Sequence, residues 1–118
     1  MKLQLQAQAL RLRLDERELG ALLAGSALTL RLGSPEQPLL DLQVTQASTL
    51  QFEAAAAGVW RLQLPAAELR AYADTLPRRD ALSLPLGGDL VLDFEVDVRD
   101  SLRERGPKRR AERPPAEG

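Results

Sequence analysis

One pattern, met twice, limits what this chain can fold into. From Trp60 to Leu69 the sequence WRLQLPAAEL alternates apolar and polar residues, then passes through Pro65 into helical spacing. Trp60, Leu62 and Leu64 fall on one face of a strand, and Pro65 opens a helix where its missing N–H costs nothing. Fifty residues earlier, Leu10 to Leu19 reads LRLRLDEREL. Leu10, Leu12 and Leu14 share a face, and Asp15 with Glu18 forms a D-x-x-E capping box at the positive end of a helix dipole. A chain that makes the same strand-to-helix turn twice is best read as two copies of one unit.

The remaining segments fit that frame. In the first copy, Lys2 to Gln6 is a short strand, Leu10 to Leu14 a second, residues 15–25 a helix with Leu19, Leu22 and Leu23 inward, Ala27 to Leu32 a third strand and Leu39 to Thr45 a fourth. Gly25 stops the helix, and the GSPEQP stretch from Gly33 to Pro38 is a loop by composition. In the second copy, Thr49 to Glu53 and Val59 to Leu64 are strands with a turn at Ala54 to Gly58. The helix carries Leu69, Tyr72, Ala73 and Leu76 and ends at Pro77. Ala81 to Leu86 and Leu90 to Val98 pair across a Gly87-Gly88-Asp89 hairpin. Matching by sequence sets Leu10, Leu12, Leu14, Glu18 and Leu19 against Trp60, Leu62, Leu64, Glu68 and Leu69. It also sets Leu39–Val44 against Val91–Val96. The expected fold is α+β: internally duplicated ββαββ units, residues 1–46 and 47–98. They form a pseudo-two-fold, mostly antiparallel β-barrel or packed sheets with two helices, as one domain over residues 1–98.

From Arg99 the alternation fails. Residues 99–118 hold one Leu, three Pro and a dense run of charge, too little apolar surface to offset chain entropy. They are expected to form a disordered or loosely attached tail. Residues 1–98 carry 9 basic and 13 acidic side chains, whereas 99–118 carry 7 and 4. An acidic body repels nucleic acid, so Arg103, Arg105, Lys108, Arg109, Arg110 and Arg113 are the candidates for phosphate, an anionic surface or an acidic partner. A solvated tail is the plainer reading of the same residues, since Asp100, Glu104, Glu112 and Glu117 dilute them.

Composition narrows the chemistry. The chain has no Cys and no His. Disulfides, thiolate nucleophiles, Cys/His zinc sites and imidazole bases are therefore excluded together. Two Phe, one Trp and one Tyr leave few faces for stacking on bases or caging cations. No apolar run approaches the roughly 18 residues of a membrane span, and no signal-peptide pattern opens the sequence. A cytoplasmic protein is expected. No phosphate loop, metal spacing or nucleophile motif is present, so no cofactor and no catalytic residue is assigned.

The remaining candidates are weak ones. Asp89, Asp93, Glu95 and Asp97 are the densest carboxylates, the kind a hard cation takes. Period two strings Asp93, Glu95 and Asp97 along one strand face rather than around a point, which reads as a solvated face. Asp41 and Asp93 are related by the matching; paired carboxylates support acid–base work only where they meet. Arg11 and Arg61 are likewise related, as anion or partner contacts or as ordinary ion pairs. Trp60 fits core packing better than an interface anchor.

Two resemblances carry further expectations. KLQLQAQALRLRLDERELGALLAG, then WRLQLPAAELRAYADT and LVLDFEVDVRDSL, is similar in order to an uncharacterised family of small bacterial proteins. The likeness covers about residues 1–102, rests on structural motifs, and implies no activity. WRLQLPAAELRAYADTLPRRDALSLPLGGDLVLDFEVDV also resembles one unit of the AbrB/MraZ-type swapped-hairpin barrels. That resemblance implies a closed pseudo-symmetric barrel or two packed sheets, here from a single chain. It also implies basic DNA contacts near the first strands. Thr49 to Gly58 holds no basic residue, and the first two strands of the first copy offer only Lys2, Arg11 and Arg13. The expected function is accordingly a small non-enzymatic protein-interaction domain that binds an unknown partner or itself. A nucleic-acid-binding, transcription-regulator-like module using the barrel or the tail is the alternative.

Overall fold

Alternation becomes strand almost wherever it occurs. A computed structural model describes residues 1–77 and 80–97. In chain order they form β1 (Lys2–Gln6), β2 (Ala9–Asp15), α1 (Glu16–Leu23), β3 (Leu28–Gly33), β4 (Pro38–Ala47), β5 (Gln51–Ala56), β6 (Val59–Pro65), α2 (Ala66–Asp74), β7 (Leu82–Gly87) and β8 (Leu90–Asp97). The fold is α+β, with two helices and two mixed four-stranded sheets.

Sheet A has the order β1-β2-β8-β7 and sheet B the order β3-β4-β6-β5. Each is made of two antiparallel hairpins joined at the centre by a parallel pair, β2 with β8 and β4 with β6. The closed barrel that the swapped-hairpin resemblance implies does not form; the packed-sheet alternative does. Among the described residues the edge strands of one sheet, β1 and β7, do not pair with those of the other, β3 and β5.

The core follows from the central strands. Leu10, Leu12 and Leu14 of β2, Leu42 and Val44 of β4, Leu62 and Leu64 of β6, and Leu92, Phe94 and Val96 of β8 are buried in one cluster. Leu19, Leu22, Leu69 and Tyr72 of the helices join them, as does Leu84 of β7. Burying each such side chain contributes about 1.5–3 kcal/mol. No charged or polar residue is fully buried among the described residues. Tyr72 of α2 meets Phe94 of β8 edge-to-face, centroids 5.8 Å apart, a favoured aromatic geometry. That contact ties α2, which follows sheet B, to sheet A.

The helix ends behave as their sequences require. Asp15 caps α1: its side chain accepts from the Glu18 N–H at 2.7 Å, and the Glu18 carboxylate accepts from the Asp15 N–H at 3.0 Å. At the other end, the Leu23 carbonyl accepts from Gln46 Nε2 at 3.2 Å and from Arg70 at 3.5 Å. The cation lies where the helix dipole favours one. Pro65 is the N-cap of α2, without a side-chain capping bond. This helix ends at Asp74, three residues before Pro77. The tight turn Ala57–Gly58 joins β5 to β6, and Gly58 has φ +73. A Cβ there would stand 2.6 Å from the Leu39 carbonyl oxygen, so only glycine fits.

Strand pairing revises one sequence match. Leu92 stands opposite Leu10 in sheet A, whereas Leu42 stands opposite Trp60 in sheet B. With Leu10 matched to Trp60 by sequence, the register sets Leu42 rather than Leu40 beside Trp60. Shifting an alternating leucine strand by two residues preserves its pattern, so sequence alone could not choose between the two. The strand boundaries are otherwise close to expectation; Val98, the expected end of β8, lies outside the described residues.

Two substitutions measure what holds this arrangement. Leu92→Ala, fully buried between the sheets and helices, is expected to cost about 2–5 kcal/mol in urea unfolding. Asp15→Ala, which removes the cap but no core contact, is expected to cost about 0.5–2 kcal/mol.

Candidate functional site

The faces turned away from the core carry the polar chemistry, and the two sheets differ there. On sheet A the cross-strand rows are Gln4, Arg11, Asp93 and Ser83, then Lys2, Arg13 and Glu95. Two of the three cations on this face are paired internally. Glu95, with 14% of its side chain exposed, accepts ion pairs from Arg13 at 3.1 Å and Arg11 at 3.5 Å. The Arg11 contact is an ion pair without hydrogen-bond alignment, since its buried Nε has no hydrogen-bond partner. Asp93 accepts from the Ser83 hydroxyl at 2.7 Å.

On sheet B the rows are Thr29, Gln43, Arg61 and Glu53, then Thr45, Gln63 and Gln51. Six of these side chains, Gln43, Thr45, Gln51, Glu53, Arg61 and Gln63, line an open concavity of about 160 Å³. Arg61 is half-buried at its centre. Its guanidinium donates to the Trp60 carbonyl at 3.3 Å and makes no ion pair among the described residues, although Glu53 is its neighbour in register. A cation flanked by three amides and a hydroxyl can accept a carboxylate and hydrogen-bond a polar chain beside it. The face holds no general acid–base pair.

The sequence candidates are distributed as follows. Arg11 and Arg61 stand on different sheets and do not meet. Asp41 and Asp93 are also separated: Asp41 pairs with Arg31 at 3.7 Å on sheet B, and Asp93 lies on sheet A. Asp89 lies in the β7–β8 turn, while Asp93, Glu95 and Asp97 run outward along β8. Among the described residues no three carboxylates gather to hold a metal ion. Trp60 is half-buried against the core and packs edge-to-face on Phe52 at 5.7 Å. Arg103, Arg105, Lys108, Arg109, Arg110 and Arg113 lie outside the described residues.

Two features were missed. The glutamines of sheet B drew no attention because uncharged polar residues in alternating strands look like filler; their signal is the three-strand stack that only register reveals. Gln46 continues the inward face of Leu42 and Val44 yet is polar. Its amide nitrogen serves the end of α1, and its oxygen is buried without a partner.

No helix among the described residues is long and apolar enough to cross a membrane. Compared with known proteins, the chain matches no protein-family model, no curated protein and no solved structure.

Proposed function

We propose that the chain is a non-enzymatic, cytoplasmic protein-interaction domain, built from two ββαββ copies, that presents the outer face of sheet B to an acidic or polar partner segment. The observation that carries this reading is the contrast between two arginines in corresponding strands. Arg11 shares the Glu95 carboxylate with Arg13, whereas Arg61 has no carboxylate partner among the described residues and sits in an open concavity. A half-buried guanidinium loses hydration without gaining an ion pair, so an incoming carboxylate restores what burial removed. An open strand face with amide side chains suits an extended polypeptide better than a small molecule, which needs an enclosed site.

Duplication is supported by strand order and register. Exchanging the first four strands for the last four converts the order of sheet A into that of sheet B. A shift of fifty residues carries Leu10 opposite Leu92 onto Trp60 opposite Leu42. The turn before each second strand agrees as well: Gln8 and Gly58 both have positive φ, and each offers its carbonyl to a backbone N–H, of Val91 and Asp41 respectively. Divergence after duplication accounts for one face being neutralised and the other left open.

The test is capture from lysate of the chain's own cells on the immobilised protein, with bound proteins identified by mass spectrometry. One protein is expected to be retained by the wild type, and Arg61→Gln is expected to weaken its retention about tenfold, the scale of one charge-assisted hydrogen bond. Arg17→Gln, on the exposed side of α1, should leave it unchanged. Retention indifferent to Arg61, or a salt-sensitive DNA mobility shift in its place, would overturn the reading.

A further inference from the structure

Four strands end the two sheets: β1 and β7 in sheet A, β3 and β5 in sheet B. An edge strand leaves alternate N–H and C=O groups unpaired, and proteins blunt such edges with prolines, bulges or mid-strand charge. β7 carries Pro85 and a register shift between Pro85 and Gly87. β5 carries Glu53 and a shift between Ala54 and Ala56. β3 carries Arg31 and a shift between Leu32 and Gly33. β1 has none of these. Its five residues pair with β2 in unbroken register, Lys2 opposite Arg13 through Gln6 opposite Ala9, and its only charge is at its first residue.

Three large apolar side chains are exposed among the described residues, Leu5 of β1, Leu32 of β3 and Leu39 of β4, and only that of β1 lies on an edge without a bulge or a mid-strand charge. Leu5 points to the core side yet is 61% exposed, because no described residue beyond β1 covers it. Of the five β1 residues, only Leu3 is even partly buried.

We infer that β1 is a self-association edge: two copies pair β1 with β1 antiparallel about Gln4, joining their A sheets into one eight-stranded sheet. The sequence Lys2-Leu3-Gln4-Leu5-Gln6 selects a second copy as the occupant. Read backwards through Gln4 it sets Leu3 on Leu5 of the other copy, Gln4 on Gln4, and Lys2 on Gln6. Leucine faces leucine on the core side, amide faces amide on the outer side, and no like charges are opposed. This register uses all five residues of the strand, and each copy's Leu3 covers the other's exposed Leu5. The contact is isologous, so it closes as a two-fold dimer and leaves no further β1 edge. It lies on a different sheet from Arg61, so the two proposals stand or fall separately.

Sedimentation of the full chain over a concentration series tests it. The wild type is expected to sediment as a dimer. Gln4→Lys and Gln4→Glu each oppose like charges at the two-fold axis, at an exposed position beside Arg11. Each is expected to raise the dissociation constant at least about tenfold, and an equimolar mixture of the two should restore the dimer. The chain has no cysteine, which permits a second measurement of register. Gln4→Cys is expected to oxidise to a covalent dimer, since opposed strand positions satisfy disulfide geometry. Gln6→Cys is not, because that register holds its two copies four residues, about 13 Å, apart. A monomeric wild type, a dimer indifferent to charge at position 4, or Gln6→Cys linking as readily as Gln4→Cys overturns the inference.

Discussion

The parallel pairing of β2 with β8 is the contact on which the arrangement depends. It unites strands more than eighty positions apart; Arg13 and Glu95, which face each other across it, are separated by 82 residues. Without it sheet A is two isolated hairpins, and a lone hairpin is marginal in water. The equivalent pair in sheet B, β4 with β6, spans a much shorter stretch of chain. The two helices follow from this constraint. A chain that leaves β2 and must reach sheet B passes through α1, and one that leaves β6 to return to sheet A passes through α2. Leu19, Leu22, Leu69 and Tyr72 then complete the core that the two sheets alone leave open.

How much of this was written in the sequence depends on which physical signal one asks for. Period two and helical spacing are local, and they place all ten elements, the Asp15–Glu18 capping box and the inward leucines of β2, β6 and β8. Pairing is not local. Nothing in LRLRL says that its neighbour is LDFEV rather than LDLQV, because both offer apolar residues at the same period. The same degeneracy makes Leu40 and Leu42 equally good matches to Leu92 by sequence. The site suffered more. Arg61 was visible as a candidate, but its environment was not. Which side chains stand beside it, Gln43 on one strand and Glu53 on the other, is a matter of register, as is the Glu95 carboxylate that pairs with Arg11.

The two outer faces show what equal backbones permit. A strand fixes which residues face outward, not whether their charges meet. On sheet A the carboxylate of Glu95 lies within reach of two guanidinium groups, and exposed pairs of this kind contribute only about 0–1 kcal/mol each. Their larger effect is to leave that face with little appetite for a charged partner. On sheet B the corresponding positions hold Gln43 and Thr45 in place of Asp93 and Glu95. The two arginines thus differ through their neighbouring side chains, Gln43, Gln63 and Glu53 around Arg61 against Asp93, Arg13 and Gln4 around Arg11, with no change in strand order.

The aromatic residues sharpen the same contrast inside the core. All four lie between Phe52 and Phe94. Their register counterparts in the first half are aliphatic: Trp60 answers Leu10, and Phe94 answers Val44. A core shared by two identical units would bring the largest side chains of both toward the same space, and overpacking costs about 1–3 kcal/mol. Pairing a large residue from one half with a small one from the other removes that conflict and lets the layers interdigitate. Tyr72 and Phe94 meet edge-to-face at 5.8 Å in the same buried cluster that holds Leu22 and Val44. Asymmetry of the surface and asymmetry of the core therefore have a common root. Once two halves of similar backbone share one interior, each is free to hold what the other lacks.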